Sequence, residues 1–230
     1  MSIEQASTIA VLGGTGKEGK GLAQRWAKSG FKVIIGSRTV ERAKLAAEEI
    51  NGQNGFNSVE GEENLAAATA ANIVVLSVPY SAHRETLEAV KPALQGKLLI
   101  DVTVPLVPPK VTKIQMPPAG SAALEAKEIL GEGTEIASAF QNISYEHLQN
   151  DERIECDVLV TGTSKETRSA ALELVSRAGL KGWDAGPLEN SVVAEGLTSI
   201  LIHINKLYGS THAGIKITGV EEKNSTTKES

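Results

Sequence analysis

The chain has 230 residues and a formal net charge of −5, enough length for one large α/β domain or for a dinucleotide-binding unit with a small second lobe. An acidic balance without a basic stripe or an aromatic platform argues against a nucleic-acid partner, and no apolar run approaches the roughly 20 residues of a membrane span. The one cysteine, Cys156, cannot form an internal disulfide, and residues 1–8 lack the basic start and apolar core of a signal peptide, so a cytoplasmic protein is expected.

The first predicted element is a short apolar strand, Thr8 to Leu12, followed by Gly13-Gly14-Thr15-Gly16-Lys17-Glu18-Gly19. From Lys20 to Ser29 the residues Leu22, Ala23, Trp26 and Ala27 recur at helical spacing, which gives strand, tight turn, helix. Residues 14–19 fit G-x-G-x-x-G. In that pattern Gly14 allows the turn, Gly16 leaves room for a pyrophosphate and Gly19 lets helix and strand pack closely. The helix start offers unpaired N–H groups and partial positive charge to an anion.

The second strand of such a unit normally ends in a carboxylate that holds a ribose 2′-hydroxyl. Here Lys32-Val33-Ile34-Ile35 runs into Gly36-Ser37-Arg38, with Arg42 one helical turn on. A hydroxyl and two guanidinium forks suit a 2′-phosphate, so the dinucleotide is read as NADP rather than NAD. Arg42 also fits as a solvated residue on the face of the next helix.

That helix is predicted over Val40 to Ile50, with a Gly/Asn loop from Asn51 to Asn57 and a short strand at Ser58-Val59. An alanine-rich helix from Glu62 to Ala70 follows, then Asn72 to Tyr80, so continuously apolar and β-branched that it reads as a strand buried on both faces. Its end, Ser77 to Tyr80, belongs beside the glycine turn, where strand order reverses. A helix from Arg84 to Leu94 and a strand from Lys97 to Asp101 complete a doubly wound first half. Between Val102 and Gly120 five prolines interrupt any regular element. A loop of that length is expected to line the pocket at Thr103-Val104-Pro105 and to shield it or contact a partner beyond.

Further on come a helix (Ser121 to Leu130), a strand (Glu135 to Phe140) with Gln141-Asn142-Ile143 emerging at the crevice, a strand (Asp157 to Gly162), a helix (Lys165 to Ala178) and a short strand from Gly182 into a turn. Cys156 reads as a small buried residue. The last helix, Ser191 to Tyr208, carries Val193, Leu197, Ile200, Leu201, Ile204 and Leu207 as one apolar stripe, suited to core or a dimer interface. The polar residues after Gly219 form an expected disordered tail. His83, His147, His203 and His212 do not pair at metal spacing, so no metal site is expected.

Taken together, Gly13-Gly14-Thr15-Gly16, Gly19 to Ala23, Gly36-Ser37-Arg38, Val78-Pro79, Asp184 to Leu188 before a helix bearing Glu195, Leu197 and Thr198, and Gly214-Ile215-Lys216 resemble the NADPH-dependent coenzyme F420 reductases over nearly the whole chain. The resemblance implies a Rossmann-type α/β fold, a doubly wound parallel sheet with a small C-terminal α/β lobe. The corresponding division is an NADP-binding domain (1–150), a small domain (151–219) completing a deazaflavin cleft and a homodimer interface, and a tail (220–230). It implies hydride transfer between NADP(H) and F420, positioned by the protein with no catalytic side chain. Thr15, Gly16, Lys17 and Glu18 would hold the phosphates. Ser37, Arg38 and Arg42 would hold the 2′-phosphate, with Val78, Ala82, Val104 and Tyr145 near the nicotinamide. Gln141, Ile143 and Ala213 would lie against F420. The chain departs from the family pattern at Gln141, where a His is expected, at Ser144-Tyr145, where Pro-Ala is expected, and in the Pro-rich stretch. An NADPH-dependent reductase of a carbonyl, imine or metal substrate, or a non-catalytic NADP-sensing module, are the alternative readings of the same residues.

Overall fold

The computed structural model describes residues 3, 7–55, 57–149 and 154–220. In chain order the elements are β1 (Thr8–Leu12), α1 (Lys17–Lys28), β2 (Lys32–Ser37), α2 (Val40–Asn54), β3 (Val59–Glu63), α3 (Asn64–Ala70), β4 (Ile73–Leu76) and α4 (Tyr80–Val90). Then follow β5 (Leu98–Asp101), α5 (Ala122–Leu130), β6 (Glu135–Ser138), α6 (Tyr145–Gln149), β7 (Asp157–Gly162), α7 (Lys165–Arg177), β8 (Lys181–Pro187) and α8 (Ser191–Tyr208).

The eight strands form one sheet in the order β3-β2-β1-β4-β5-β6-β7-β8. The first six run parallel, β7 is antiparallel to β6, and β8 is parallel to β7. The strands after residue 150 therefore extend the sheet of the first half. Strand order reverses between β1 and β4, and the crevice outside their carboxyl ends is where such sheets take ligands.

Two apolar clusters, one on each face, hold the sheet between its helices. Trp26 of α1 is fully buried, meets Phe140 edge to face at 5.8 Å and donates its indole N–H to the Leu174 carbonyl of α7 at 3.0 Å. One side chain thus ties the first helix to the last third of the chain, and its polar atom is satisfied.

Several boundaries differ from the sequence reading for identifiable reasons. The expected loop at Asn51 begins as helix, because α2 continues to Asn54 and stops at Gly55, which takes a left-handed φ of 68°. The third strand runs on to Glu63, so the helix expected from Glu62 starts at Asn64. At Gly61 a Cβ would collide with the Ala43 and Lys44 backbone, so the edge strand is pressed against α2. Helix α4 opens at Tyr80 with Pro79 as its N-cap, ahead of the expected Arg84. Helix α6 has too short an apolar pattern to be read at all.

Helix α8 has the expected bounds, yet the side turned to the protein is not its large apolar stripe. Ala194, Glu195, Gly196, Ser199 and Leu201 are buried, whereas Val193, Ile200 and Leu207 are exposed. Small residues let the helix approach closely. Residues 221–230, the bulk of the expected tail, lie outside the described residues, as do five of the first six.

Candidate active site

The turn after β1 is a prepared anion cradle. Gly13, not Gly14, takes the left-handed conformation, with φ 74°, and a Cβ there would strike the Ser77 carbonyl of the neighbouring strand end. Gly14 is required for space instead, since its Cβ would lie 2.7 Å from the Val11 carbonyl. Gly16 is the N-cap of α1, and no side chain occupies the cap. The first bond inside the helix is Lys20 N–H to the Gly16 carbonyl at 2.9 Å, so the N–H groups of Lys17, Glu18 and Gly19 precede it. Around Gly16 a Cβ would meet only the Gly13 carbonyl, 3.5 Å away. That open space beside free donors fits a diphosphate. Glu18 is half-buried in the first turn, and desolvation pushes its carboxyl up to about 8, which lessens its repulsion of a bound anion.

At the end of β2, Ser37 is buried and its Oγ accepts the Thr39 N–H at 3.5 Å. Arg38 and Arg42 are exposed, and neither has a salt-bridge partner among the described residues. Asn64, at the start of α3, was not singled out by sequence. Its buried Oδ1 has no partner among the described residues and would lie 2.8 Å from a Cβ on Gly36. The signal for it was the glycine at the strand end, where another side chain crosses closely.

A cleft of about 640 Å³ opens from the phosphate turn. It brings together Gly16, Lys17, Glu18, Val78 and Val104 with Gln141, Ile143, Tyr145 and Ala213 from the second half. Thr15, Ser37, Arg38, Arg42 and Ala82 lie outside its lining. The Pro-rich loop contributes Leu106, Pro108 and Val111, and α8 contributes Thr198 and Leu201.

Helix α6 carries Tyr145 to the phosphate turn, where Lys17 Nζ donates to its hydroxyl at 3.3 Å and lies 4.6 Å from its ring centre. Arg25 fastens α6 by donating to the Leu148 and His147 carbonyls at 3.0 and 2.8 Å. Gly21 makes the approach possible, because a Cβ there would be 2.6 Å from Leu148 Cβ. A glycine inside an amphipathic helix was the available signal for this packing.

Ala213 reaches the cleft because Asp157 holds the segment beyond it: the Asp157 carboxylate accepts the Ile217 N–H at 2.8 Å and the Trp183 indole at 2.7 Å. The Ala213 N–H is itself donated to Asn205 Oδ1 at 2.8 Å. Asp184, within β8, pairs with Arg168 at 2.7 Å and accepts the Gly186 N–H at 2.9 Å. Cys156 is buried, and burial pushes its thiol up.

At the end of β5 lies a buried polar hub that sequence reasoning missed. His83 Nε2 and Asp101 Oδ2 are 2.7 Å apart with both side chains fully buried. Burial alone would lower the His83 pKa, but the charge and hydrogen bond of Asp101, with Glu125 at 3.7 Å, outweigh it and hold it raised. Asp101 Oδ1 also accepts the Thr103 N–H at 3.0 Å. Glu195 of α8 is buried and accepts the Ala122 and Ala123 N–H groups at 2.7 and 3.1 Å, at the positive end of α5. Desolvation, then the Asp101 charge, push its carboxyl up to about 8 against those two bonds.

An open glycine cradle at a strand-order reversal, arginines just after β2 and on α2 with no salt-bridge partner among the described residues, and a largely apolar cleft define a Rossmann-type, dinucleotide-binding oxidoreductase. Residues 8–105 match the family model described as NADP oxidoreductase coenzyme F420-dependent. The F420-dependent NADP reductase of Methanocaldococcus jannaschii is 39% identical over 93% of this chain and 99% of its own length. That of Methanothermobacter thermautotrophicus is 40% identical over 94% of this chain and 96% of its own. A solved chain from Arthrobacter sp. FB24, proposed to be an F420-dependent NADP-reductase, superposes with a TM-score of 0.76 at 23% identity, covering 92% of this chain and 99% of that one. The chain belongs to the F420-dependent NADP reductase family.

Proposed function

We propose that the protein transfers a hydride between NADP(H) and the deazaflavin coenzyme F420, the two bound in one cleft. The observation that carries the reading is the cleft itself, whose phosphate-turn end is continuous with a wall built by Gln141, Ile143 and Ala213. The N–H groups of Lys17 to Gly19 hold the pyrophosphate and Thr15 flanks it. Ser37, Arg38 and Arg42 hold the 2′-phosphate, and Val78, Ala82, Val104 and Tyr145 border the nicotinamide. The redox chemistry belongs to the two bound coenzymes, a hydride passing between carbon atoms of their rings. The protein's part is to orient the rings face to face and to exclude water with the Pro-rich loop and α8. Residues 1–150 serve as the NADP-binding domain and 151–219 as the small domain.

Val192, Val193, Ile200, Leu207 and Tyr208 leave an apolar face on α8, and it supports packing against a second copy as a homodimer. Among the described residues no helix is long and apolar enough to cross a membrane. A cytoplasmic location agrees with a buried free thiol.

The test is absorbance at the deazaflavin band on mixing protein, NADPH and F420, with NADH in parallel. Rapid bleaching with NADPH and much slower bleaching with NADH is expected. Tight NADPH binding without bleaching would move the substrate to a carbonyl, an imine, a metal or none.

A further inference from the structure

Asp101 ties together the strand ends that border the cleft. It closes β5 opposite Leu76, the last residue of β4. Its carboxylate meets both neighbouring segments: Oδ2 lies 2.7 Å from His83 Nε2 on α4, and Oδ1 accepts the Thr103 N–H at 3.0 Å. Its backbone carbonyl accepts the Gln141 amide, beyond β6, at 2.7 Å. The cleft lining includes residues 77–81, which lead from β4 into α4, and residues 102–104, which follow Asp101 directly. One buried side-chain contact, His83 to Asp101, therefore couples two runs of the cleft wall that belong to different strands.

Stability alone does not call for this contact. Both side chains are fully buried, and the other buried residues of α4, Leu87 and Val90, are apolar. Packed apolar side chains often replace a buried pair at no loss, whereas the pair fixes a distance and a direction. Its surroundings are charged on several sides. Glu125 of α5 lies 3.7 Å from His83 Nδ1 and also accepts the Tyr80 hydroxyl at 2.9 Å and Arg84 of α4 at 2.7 Å. Glu195 of α8 interacts with Asp101 through charge. Burial works against a charged His83, but the charge and hydrogen bond of Asp101, with Glu125, hold its pKa raised. A carboxylate thus faces each ring nitrogen, so an unprotonated nitrogen would be turned toward an anion.

We infer that His83, acting through Asp101, is a positioning residue for hydride transfer: the contact sets the spacing of residues 77–81 and 102–104, and with it how closely two rings approach in the cleft. The inference rests on the proposed transfer between NADP(H) and F420. Such a step is sensitive to spacing, since a displacement of about 1 Å can cost about a hundredfold in rate. The phosphate turn and the β2 end lie on other elements, so loss of the contact slows transfer and leaves binding of the phosphate end unchanged. The protonated pair is the working form, and transfer therefore slows as pH rises through the raised pKa of His83.

Single-turnover mixing of the full chain with saturating NADPH and F420, followed at the deazaflavin band, reads the transfer step, and NADPH deuterated at the transferable position identifies it. Titration with 2′,5′-ADP reads the phosphate end. His83→Leu removes the donor to Asp101, whereas His83→Gln keeps a donor of similar reach that does not titrate. His83→Leu should slow transfer about tenfold or more with 2′,5′-ADP affinity unchanged, and His83→Gln should recover most of the rate. The wild-type rate should fall on the alkaline side and His83→Gln should lose that fall. Titration of Glu195 or Tyr80 would survive the substitution, so the comparison isolates His83. Three results overturn the inference: His83→Leu transfers at the wild-type rate, it loses 2′,5′-ADP binding in step with rate, or His83→Gln is no faster than His83→Leu. If His83→Leu does not fold, the pH profile of His83→Gln decides: loss of the alkaline fall supports the inference and an unchanged profile overturns it. A wild type that binds 2′,5′-ADP yet passes no hydride to F420 would instead overturn the proposed function.

Discussion

At the dinucleotide end of the cleft the phosphate turn and the β2 end come from one βαβ unit, whereas the opposite end is assembled from segments remote in sequence. Lys17 meets Tyr145 across 128 positions, and Thr198 meets Gln141 across 57. The first arrangement depends on local backbone geometry that glycines announce. The second depends on docking, on α6 against α1 and on the 213–217 segment against Asp157. Damage to the first is therefore expected to abolish binding and stability together, and damage to the second to act more selectively.

The largest effect expected is at Gly13. A Gly13→Val variant forces a β-branched residue to φ 74° and drives its Cβ into the Ser77 carbonyl. A loss of about 3 kcal/mol is expected, readable as a fall in thermal midpoint with NADPH binding lost. A stable variant that still binds NADPH would break the local half of the comparison.

Next is the double change Arg38→Ala with Arg42→Ala. Charge-assisted bonds contribute about 1.5–3 kcal/mol, so NADPH affinity should fall roughly tenfold to a hundredfold. NADH affinity should hardly move. Titration with both nucleotides checks it, and an equal loss for both would remove the 2′-phosphate from this site. If Arg38→Ala alone reproduces the whole loss, Arg42 is the solvated helix residue that its exposure also allows.

The remote half is sharpened by Gly21→Leu, which overpacks the contact with Leu148 and pushes α6 off α1. Overpacking costs about 1–3 kcal/mol. The KM for F420 should rise several-fold while 2′,5′-ADP binding stays close to wild type. Equal losses in both would mean that α6 supports the phosphate turn as much as the remote wall.

The smallest expected effect is a pH dependence centred on Glu195. Its pKa is raised when folded, so the unfolded chain binds fewer protons between the two values. The stability this group contributes is complete below about pH 4.5 and is lost as pH rises toward 8. His83, also raised, works in the same direction. Glu195→Gln keeps an acceptor for α5 but does not titrate. The wild type should therefore lose thermal midpoint across that window relative to the variant. Parallel curves would contradict the burial argument.

The same contrast explains what could be read from the sequence. The strands of the first half, the glycine turn and the β2 end followed from β-branched runs and glycine spacing, because short-range geometry leaves short-range patterns; the antiparallel pairing of β7 with β6 did not. The bounds of α8 followed as well, but which side it buries did not. Its inward side is set by Glu195 capping α5 and by Gly196 lying 3.3 Å from the Met116 side chain, measured from a Cβ built on that glycine. A hydropathy pattern shows neither. Helix α6, Asn64 and the His83–Asp101 pair were missed for a related reason. Each draws its meaning from a partner far along the chain, and a lone histidine inside a helix carries no sign of the carboxylate it meets.

In the proposed function one cleft brings the two rings together so that a hydride passes directly, with no exchangeable group of the protein between them. The most direct measurement uses NADPH carrying deuterium at the transferable position, oxidised F420 and the protein in ordinary water, with the reduced deazaflavin analysed by mass spectrometry. Retention of essentially one deuterium per turnover on ring carbon is predicted. Reduced F420 whose accepting ring carbon carries hydrogen from solvent in place of the deuterium would contradict direct transfer, whereas the proton taken up on ring nitrogen comes from water in either case.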